Sequence, residues 1–377
     1  MKKTIVLLTI VLALVAAPVF AETGFTGSVE FKYGTDFSDF ATDTGNDTKI
    51  SLDGKVGEFS TISVGIEADE NSNASATLMT LSQDVTGALG VEGPVSFAYK
   101  MGKQTYQPAD YSGVGGYEDA GRDAKIGQGY EADDTDFTTN SMLGTVLTFG
   151  FADMIMIDAV VFPASYFEKA ADAANGYFDA DNFAEFAVNA YGTFGPAQVS
   201  VYYTMSNLSY LADSDGDAID EAGDMIGANL GLVIDALSVG VLWETDLEKD
   251  FQAATGVTGT KPMNTEIGIA AKYVIGSVTP GIAFKTAFYD GSDFAADSGL
   301  GLNVTWAAAE MFNVTAAVKN SFVFDDLGDT LGYEVGVDYT LDGVKYSIGY
   351  TDGSEFKAYD AELSDTGNMY VKVGASF

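Results

Sequence analysis

Strict two-residue alternation constrains this chain more than any motif in it. Met369, Val371, Val373, Ala375 and Phe377 alternate with Tyr370, Lys372, Gly374 and Ser376. Near the other end, Phe25, Gly27, Val29, Phe31 and Tyr33 interleave with Thr26, Ser28, Glu30 and Lys32. Ile62, Val64, Ile66 and Ala68 alternate with Ser63, Gly65 and Glu67. Leu331, Tyr333, Val335, Val337, Tyr339 and Leu341 oppose Gly332, Glu334, Gly336, Asp338 and Thr340, and Val344, Tyr346, Ile348 and Tyr350 oppose Lys345, Ser347 and Gly349. A period of two sends alternate side chains to opposite faces of a strand. One face here is aliphatic or aromatic, and the other carries Gly, Ser, Thr and charge. An apolar exterior with a polar interior is the inverse of a soluble barrel and fits one embedded in lipid.

Backbone polar groups cannot be left unpaired in hydrocarbon, so such a sheet has to close on itself. Tight turns are expected at Gly57-Glu58, Gly93-Pro94, Ala152-Asp153, Gly195-Pro196, Asp235-Ala236, Gly276-Ser277, Ala308-Ala309 and Asp342-Gly343. Longer acidic stretches, rich in Gly and Asp, separate them. These turns define eight hairpins, and the first and last strands bring the expected count to 18. A weak stretch over residues 74–91 leaves 16 open. The expected fold is all-β, a transmembrane antiparallel up-and-down β-barrel of 16–18 strands. Either number encloses an aqueous channel instead of a packed interior.

Residues 1–21 are expected to form a secretory signal peptide. Lys2 and Lys3 precede an apolar run from Ile5 to Ala17, interrupted by Thr9, and Val19 and Ala21 supply small side chains at −3 and −1. Residues 22–377 then form a single barrel domain. No later segment approaches the roughly 18 continuous apolar residues of a spanning helix. The formal charge of −37 excludes nonspecific binding of nucleic acid, and removing Lys2 and Lys3 makes the chain more acidic still. With 47% hydrophobic and 12% aromatic residues, the acidity does not signify disorder. Cys and His are absent, which excludes a Ser-His-Asp triad, a Cys nucleophile and a zincin-type metal site. No enzyme activity and no cofactor are expected.

Together these features resemble Gram-negative bacterial outer-membrane porins. The closing strand resembles the assembly signal of such barrels at Val373, Ala375 and Phe377. The resemblance implies short turns facing the periplasm, long loops facing outward, a homotrimer, contact with outer-membrane lipid and lipopolysaccharide, and insertion by the barrel-assembly machinery. After the strand Val95 to Gly102, residues Gln104 to Asn140 run 37 positions without strand periodicity before a sixth strand at Ser141 to Gly150. Loops beyond about 15 residues are usually functional or disordered. This position, after strand five, is similar to that of the inward constriction loop of general porins.

That loop carries Asp110, Glu118, Asp119, Asp123, Glu131, Asp133, Asp134 and Asp136 against Arg122 and Lys125. Polar-face lysines are expected at Lys32, Lys49, Lys100, Lys272, Lys285, Lys319, Lys345 and Lys372. All but Lys100 fall on the last seven and first two strands, which closure makes neighbours. An acidic loop facing a basic wall sector resembles the transverse charge arrangement of general porins. The lysines also have lumen partners within reach of a strand register, namely Glu30, Glu67, Glu244, Glu266 and Glu334, and both readings can hold together. Rings of carboxylates select cations, so the excess of acid predicts cation preference.

Asp213, Asp215, Asp217, Asp220, Glu221 and Asp224 form a dense acidic stretch that is a calcium candidate. It departs from the EF-hand pattern, with Gly216 at the fourth position and Ala218 at the sixth, and a cation-bridged surface near lipopolysaccharide is the plainer reading. Tyr33, Tyr99, Trp243, Trp306, Tyr339 and Phe377 suit interfacial girdles. The function expected is passive diffusion of small hydrophilic solutes and ions across the outer membrane. The alternative is a structural or adhesin-type barrel that acts through its loops.

Overall fold

A computed structural model describes residues 23–36, 42–68, 74–114, 128–129, 140–152, 154–162, 185–205, 224–247, 251–252, 258–259, 264–289, 297–322, 331–352 and 368–376. The first half of the sheet comprises β1 (Thr23–Asp36), β2 (Thr42–Lys55), β3 (Ser60–Ala68), β4 (Ala74–Asp84), β5 (Val95–Gln104), β6 (Asn140–Phe151), β7 (Ile155–Phe162), β8 (Glu185–Phe194) and β9 (Ala197–Met205). The second half comprises β10 (Met225–Ile234), β11 (Leu237–Asp246), β12 (Asn264–Tyr273), β13 (Val278–Tyr289), β14 (Asp297–Ala309), β15 (Phe312–Phe322), β16 (Leu331–Leu341), β17 (Val344–Asp352) and β18 (Asn368–Ser376). Every strand pairs antiparallel with the next in sequence. β18 then returns to β1, in register from Ser28 opposite Ser376 to Asp36 opposite Asn368. Among the described residues the sheet is a ring of eighteen long strands. A nineteenth, two-residue strand, Gln128–Gly129, is appended to β6.

The ring has two chemically distinct faces. Outward positions expose large apolar side chains, such as Ile269 at 50%, Leu302 at 50% and Ile348 at 49%. Inward positions bury Asn189, Ser200, Asn229, Glu244 and Glu266. Aromatic contacts mark both ends of the outer face. Phe97 stacks on Phe149 at 4.9 Å and Phe312 lies 4.6 Å from Tyr339 near the short turns, whereas Tyr333–Tyr350 and Phe186–Tyr203 lie near the opposite rim. Trp243 and Trp306 also face outward. Amphipathic rings at both boundaries are what a bilayer-spanning band requires.

Short connections fall at one end, as the turn chemistry dictates. Asp342 and Gly343 both have positive φ, 48° and 78°, the requirement of a two-residue type I′ hairpin. The turn expected at Ala308-Ala309 instead lies at Glu310–Met311. A bulge between Ala307 and Ala309 lengthens β14 past those alanines. The weak stretch resolves into β4 followed by a single helical turn, α1 (Val85–Ala88), whose first amide groups are capped by Asp84 through a 2.9 Å bond from Gly87 N. β4 pairs with both β3 and β5, so the 16-strand alternative does not hold.

The two faces make opposite predictions for adjacent residues. Leu302→Arg on the lipid face should destabilise the barrel by about 2–4 kcal/mol, and Asn303→Arg on the water face by far less. Denaturant unfolding in phospholipid vesicles measures both, and equal effects would contradict the assigned faces.

Candidate pore constriction

The chain leaving β5 does not go straight to β6. Gln104, 1% exposed, donates from Nε2 to the carbonyls of Gly144 (3.2 Å) and Lys100 (3.3 Å), which fixes the exit from the strand. Tyr106 then packs on the inward cluster Val146, Val160, Phe162 and Ala187. Its hydroxyl donates to Asp158 Oδ2 at 2.9 Å, while Asp158 Oδ1 accepts from Thr148 Oγ1 at 2.7 Å. Burial, and then the Asp158 carboxylate, push the phenols of Tyr106 and Tyr111 upward, so both remain donors at neutral pH.

Three strands further round, Asn229 of β10 grips the segment. Its Nδ2 donates to Ala109 O at 2.9 Å and its Oδ1 accepts from Tyr111 N at 2.9 Å. A carboxamide offers one donor end and one acceptor end, so it pairs with a backbone as a neighbouring strand would. Buried backbone groups need such partners. Asp110 Oδ1 accepts from Ser112 N at 2.8 Å, and Ser112 Oγ accepts from Val114 N at 3.2 Å. Val114 is fully buried and closes a cluster with Leu242, Ala270 and Ala283.

Residues 105–114 thus form a belt that crosses the inner wall from β7 to β12, where the Val114 cluster extends to Ala283 of β13. Eight residue steps separate Tyr106 from Val114, or about 26 Å of extended chain. Five inter-strand spacings of about 4.8 Å amount to about 24 Å. The segment makes that crossing with local turns at Asp110–Ser112 and at Gly113, whose φ is 62°. It lies close because the wall beneath it is bare: Tyr111 O sits over Gly231, Ser112 O over Gly240 and the Val114 side chain over Gly268. Gly231 and Gly240 are direct cross-strand partners, and Gly268 pairs with Leu242.

A polar row flanks the belt on the side of the long connections. Cross-strand register links Asp158, Asn189, Tyr202, Gly227, Glu244 and Glu266 in sequence around the wall. Glu244 and Glu266 oppose each other directly, an unfavourable placement for like charges. Tyr202 donates its hydroxyl to Glu244, and Lys285 Nζ lies 2.6 Å from Glu266 Oε2, which offsets the repulsion. Asp110 of the belt acts electrostatically on Tyr202 and Glu244. Among the described residues no three carboxylates converge as metal ligands.

The lysines occupy the strands expected from the alternation. Lys345 lies 2.9 Å from Asp338, and Lys372 Nζ sits 5.0 Å from the Tyr370 ring centroid, whose hydroxyl donates to Glu334 at 2.7 Å. Lys100 is half-buried and Lys272 exposed. By backbone register Lys32 opposes Lys372, Lys49 opposes Glu67, and Lys319 opposes Gly301 and Gly332. Side chains of Lys32, Lys49 and Lys319 lie outside the described residues, as do Glu118, Asp119, Arg122, Asp123, Lys125, Glu131, Asp133, Asp134 and Asp136. Of the calcium candidate, Asp213, Asp215, Asp217, Asp220 and Glu221 lie outside them too, while Asp224 accepts from the Tyr203 hydroxyl at 3.1 Å. Val373 and Ala375 sit opposite Phe31 and Val29 at the closing seam, and Phe377 lies outside the described residues.

Sequence reasoning missed Asn229, Asp158 and Val114. The available signal was inward-facing glycine on three consecutive strands, with a single inward Asn beside it. Asn229→Ala should leave two part-buried belt groups, Ala109 O and Tyr111 N, without their wall partner and destabilise the protein by about 1 kcal/mol. Denaturant titration measures this, and an unchanged midpoint would place the belt off the wall.

No protein-family profile matches the chain, and no curated relative matches it either. Solved structures do. A porin from Comamonas acidovorans, described as anion-selective, superposes with a TM-score of 0.51 at 11% identity, covering 94% of this chain and 99% of that one. A triple mutant of the Rh. blastica porin gives 0.49 at 15% identity, covering 94% and 100%. Such identities speak to fold alone. The closed antiparallel ring and the superposition on the Comamonas structure assign this chain the β-barrel fold of the bacterial porins.

Proposed function

We propose that this protein is an outer-membrane porin, a water-filled channel for passive diffusion of small hydrophilic solutes and ions, with a preference for cations. The observation that carries the reading is the belt. A ring of this strand number encloses more space than its inward side chains fill. Residues 105–114 lie along one side of that space, from β7 to β12, and leave the opposite wall uncovered by this segment. One-sided narrowing of a wide barrel makes a constriction.

The charge around it supports the sign of the preference. Asp110, Asp158, Glu185, Glu244 and Glu266 share the belt's side of the barrel, with Lys285 already engaged by Glu266. Lys100 lies on β5 where the belt departs and Lys272 on β12, while the facing strands carry Lys345 and Lys372, with Lys345 paired to Asp338. Carboxylates that outnumber the cations free to offset them favour cations. The Comamonas acidovorans porin is described as anion-selective, so on this reading the sign belongs to the lumen's own charges and not to the fold. Export by the leader at residues 1–21, assembly by the barrel machinery, lipopolysaccharide contact and a homotrimer complete the reading. None of these steps involves a reaction, and the chain acts by solute diffusion alone.

Purified protein in a planar bilayer under a KCl gradient should give stepwise openings and a cation-selective reversal potential. Asp110→Asn combined with Glu244→Gln should move that potential toward zero. A folded barrel without conductance would contradict the channel and favour the adhesin-type alternative, and an anion-selective wild type would contradict the preference.

A further inference from the structure

We propose that Gly231, Gly240 and Gly268 set the size cutoff of the pore, by fixing how far the belt stands off the wall. The inference rests on the channel reading above. The cutoff of a constricted channel is usually sought in the side chains that point into the bore. Here the decisive distance lies behind them, between belt backbone and wall backbone.

Three consecutive strands supply the contact. A Cβ built on Gly240 would overlap the Ser112 carbonyl, and one built on Gly231 would stand 2.5 Å from the Tyr111 carbonyl oxygen. At Gly268 the nearest atom would be Val114 Cγ1, also at 2.5 Å. Carbon and oxygen atoms in contact need about 3.3 Å or more. Any side chain at these positions therefore moves the belt, the wall or both. The wall resists, because β10, β11 and β12 are each hydrogen-bonded on both flanks. The belt is held by a few side-chain bonds instead of a ladder on each flank, so it yields.

It also cannot slide clear. Tyr106 on Asp158 holds one end, Val114 between Leu242, Ala270 and Ala283 holds the other, and Asn229 pins the middle. A strip held at both ends, with slack in its local turns and pushed from behind, bows into the open bore. The glycines are thus size-determining positions that no permeating solute touches. Their absent side chains keep the aperture wide. The neighbouring positions Ala270 and Ala283 are direct partners in the same ladder and extend the low floor to β13.

The test uses the full-length protein, purified from membranes and checked for heat-modifiable migration and native oligomer. Single-channel conductance and the largest polyethylene glycol that enters the pore are measured for wild type, Gly240→Ala, Gly240→Val, Gly268→Val and Ser347→Val. The last adds similar bulk on the inward face of β17, away from the belt. The expected result is a graded loss of conductance and a smaller polymer cutoff from Gly240→Ala to Gly240→Val, a loss for Gly268→Val, and a lesser change for Ser347→Val. If Gly240→Val fails to fold, the Gly240→Ala and Gly268→Val channels still read the trend. Folded glycine variants with wild-type conductance and cutoff, or with a wider pore, overturn the inference while the channel reading stands. A wild type that does not conduct overturns both.

Discussion

Every feature of this molecule depends on the requirement that backbone N–H and C=O groups be paired where no water reaches them. In hydrocarbon that requirement leaves a helix or a closed sheet, and the two-residue period of this chain excludes the helix. Closure between β18 and β1 is thus the condition under which the other pairings become tolerable in a membrane. The same accounting governs the interior. The belt brings its own unpaired peptide groups against the wall, and Asn229 supplies the partners that a neighbouring strand would have given. Ladder outside and carboxamide clamp inside answer one demand at two places.

Closure also decides what the interior is for. Interior side chains of a ring this wide do not meet across it, so a segment that reaches inward alters the free path and not a packed core. The belt takes one side of that path, and the wall row beside it carries Asp158, Glu244 and Glu266. Two glutamates directly opposite each other are a liability that stability alone would remove. Their presence beside Asp110, with Tyr202 and Lys285 as the offsetting partners, fits a lumen whose charge serves passage.

Much of this architecture is legible in the amino-acid pattern alone. Alternation in residues 331–341 and 344–350 identifies strands because lipid and water impose opposite chemistry on successive residues, and Asp342-Gly343 between them can hardly be anything but a hairpin turn. The turn expected at Ala308-Ala309 shows the limit. Alanine has no strong preference, and a bulge that shifts the strand end leaves no trace in hydropathy. The belt is legible only as a long interruption after strand five. Its grip on the wall depends on Asn229, far away in sequence, and on glycines that read as ordinary small residues of a polar face. Long-range register brings those residues together, and local pattern does not encode it.

The placement of the belt on the wall is the point on which pore, selectivity and size cutoff all turn. The chain contains no cysteine, so one introduced pair reports without interference. We would replace Val114 and Gly268 with cysteine, leaving the Asn229 clamp intact, and follow disulfide formation under mild oxidation in intact membranes. Disulfide formation is the result predicted, because Val114 Cβ lies 3.2 Å from where a Cβ on Gly268 would stand, close to the span of about 3.5–4.5 Å that a disulfide bridges. Two thiols that stay open to alkylation in a folded barrel would show that the segment after strand five lies elsewhere.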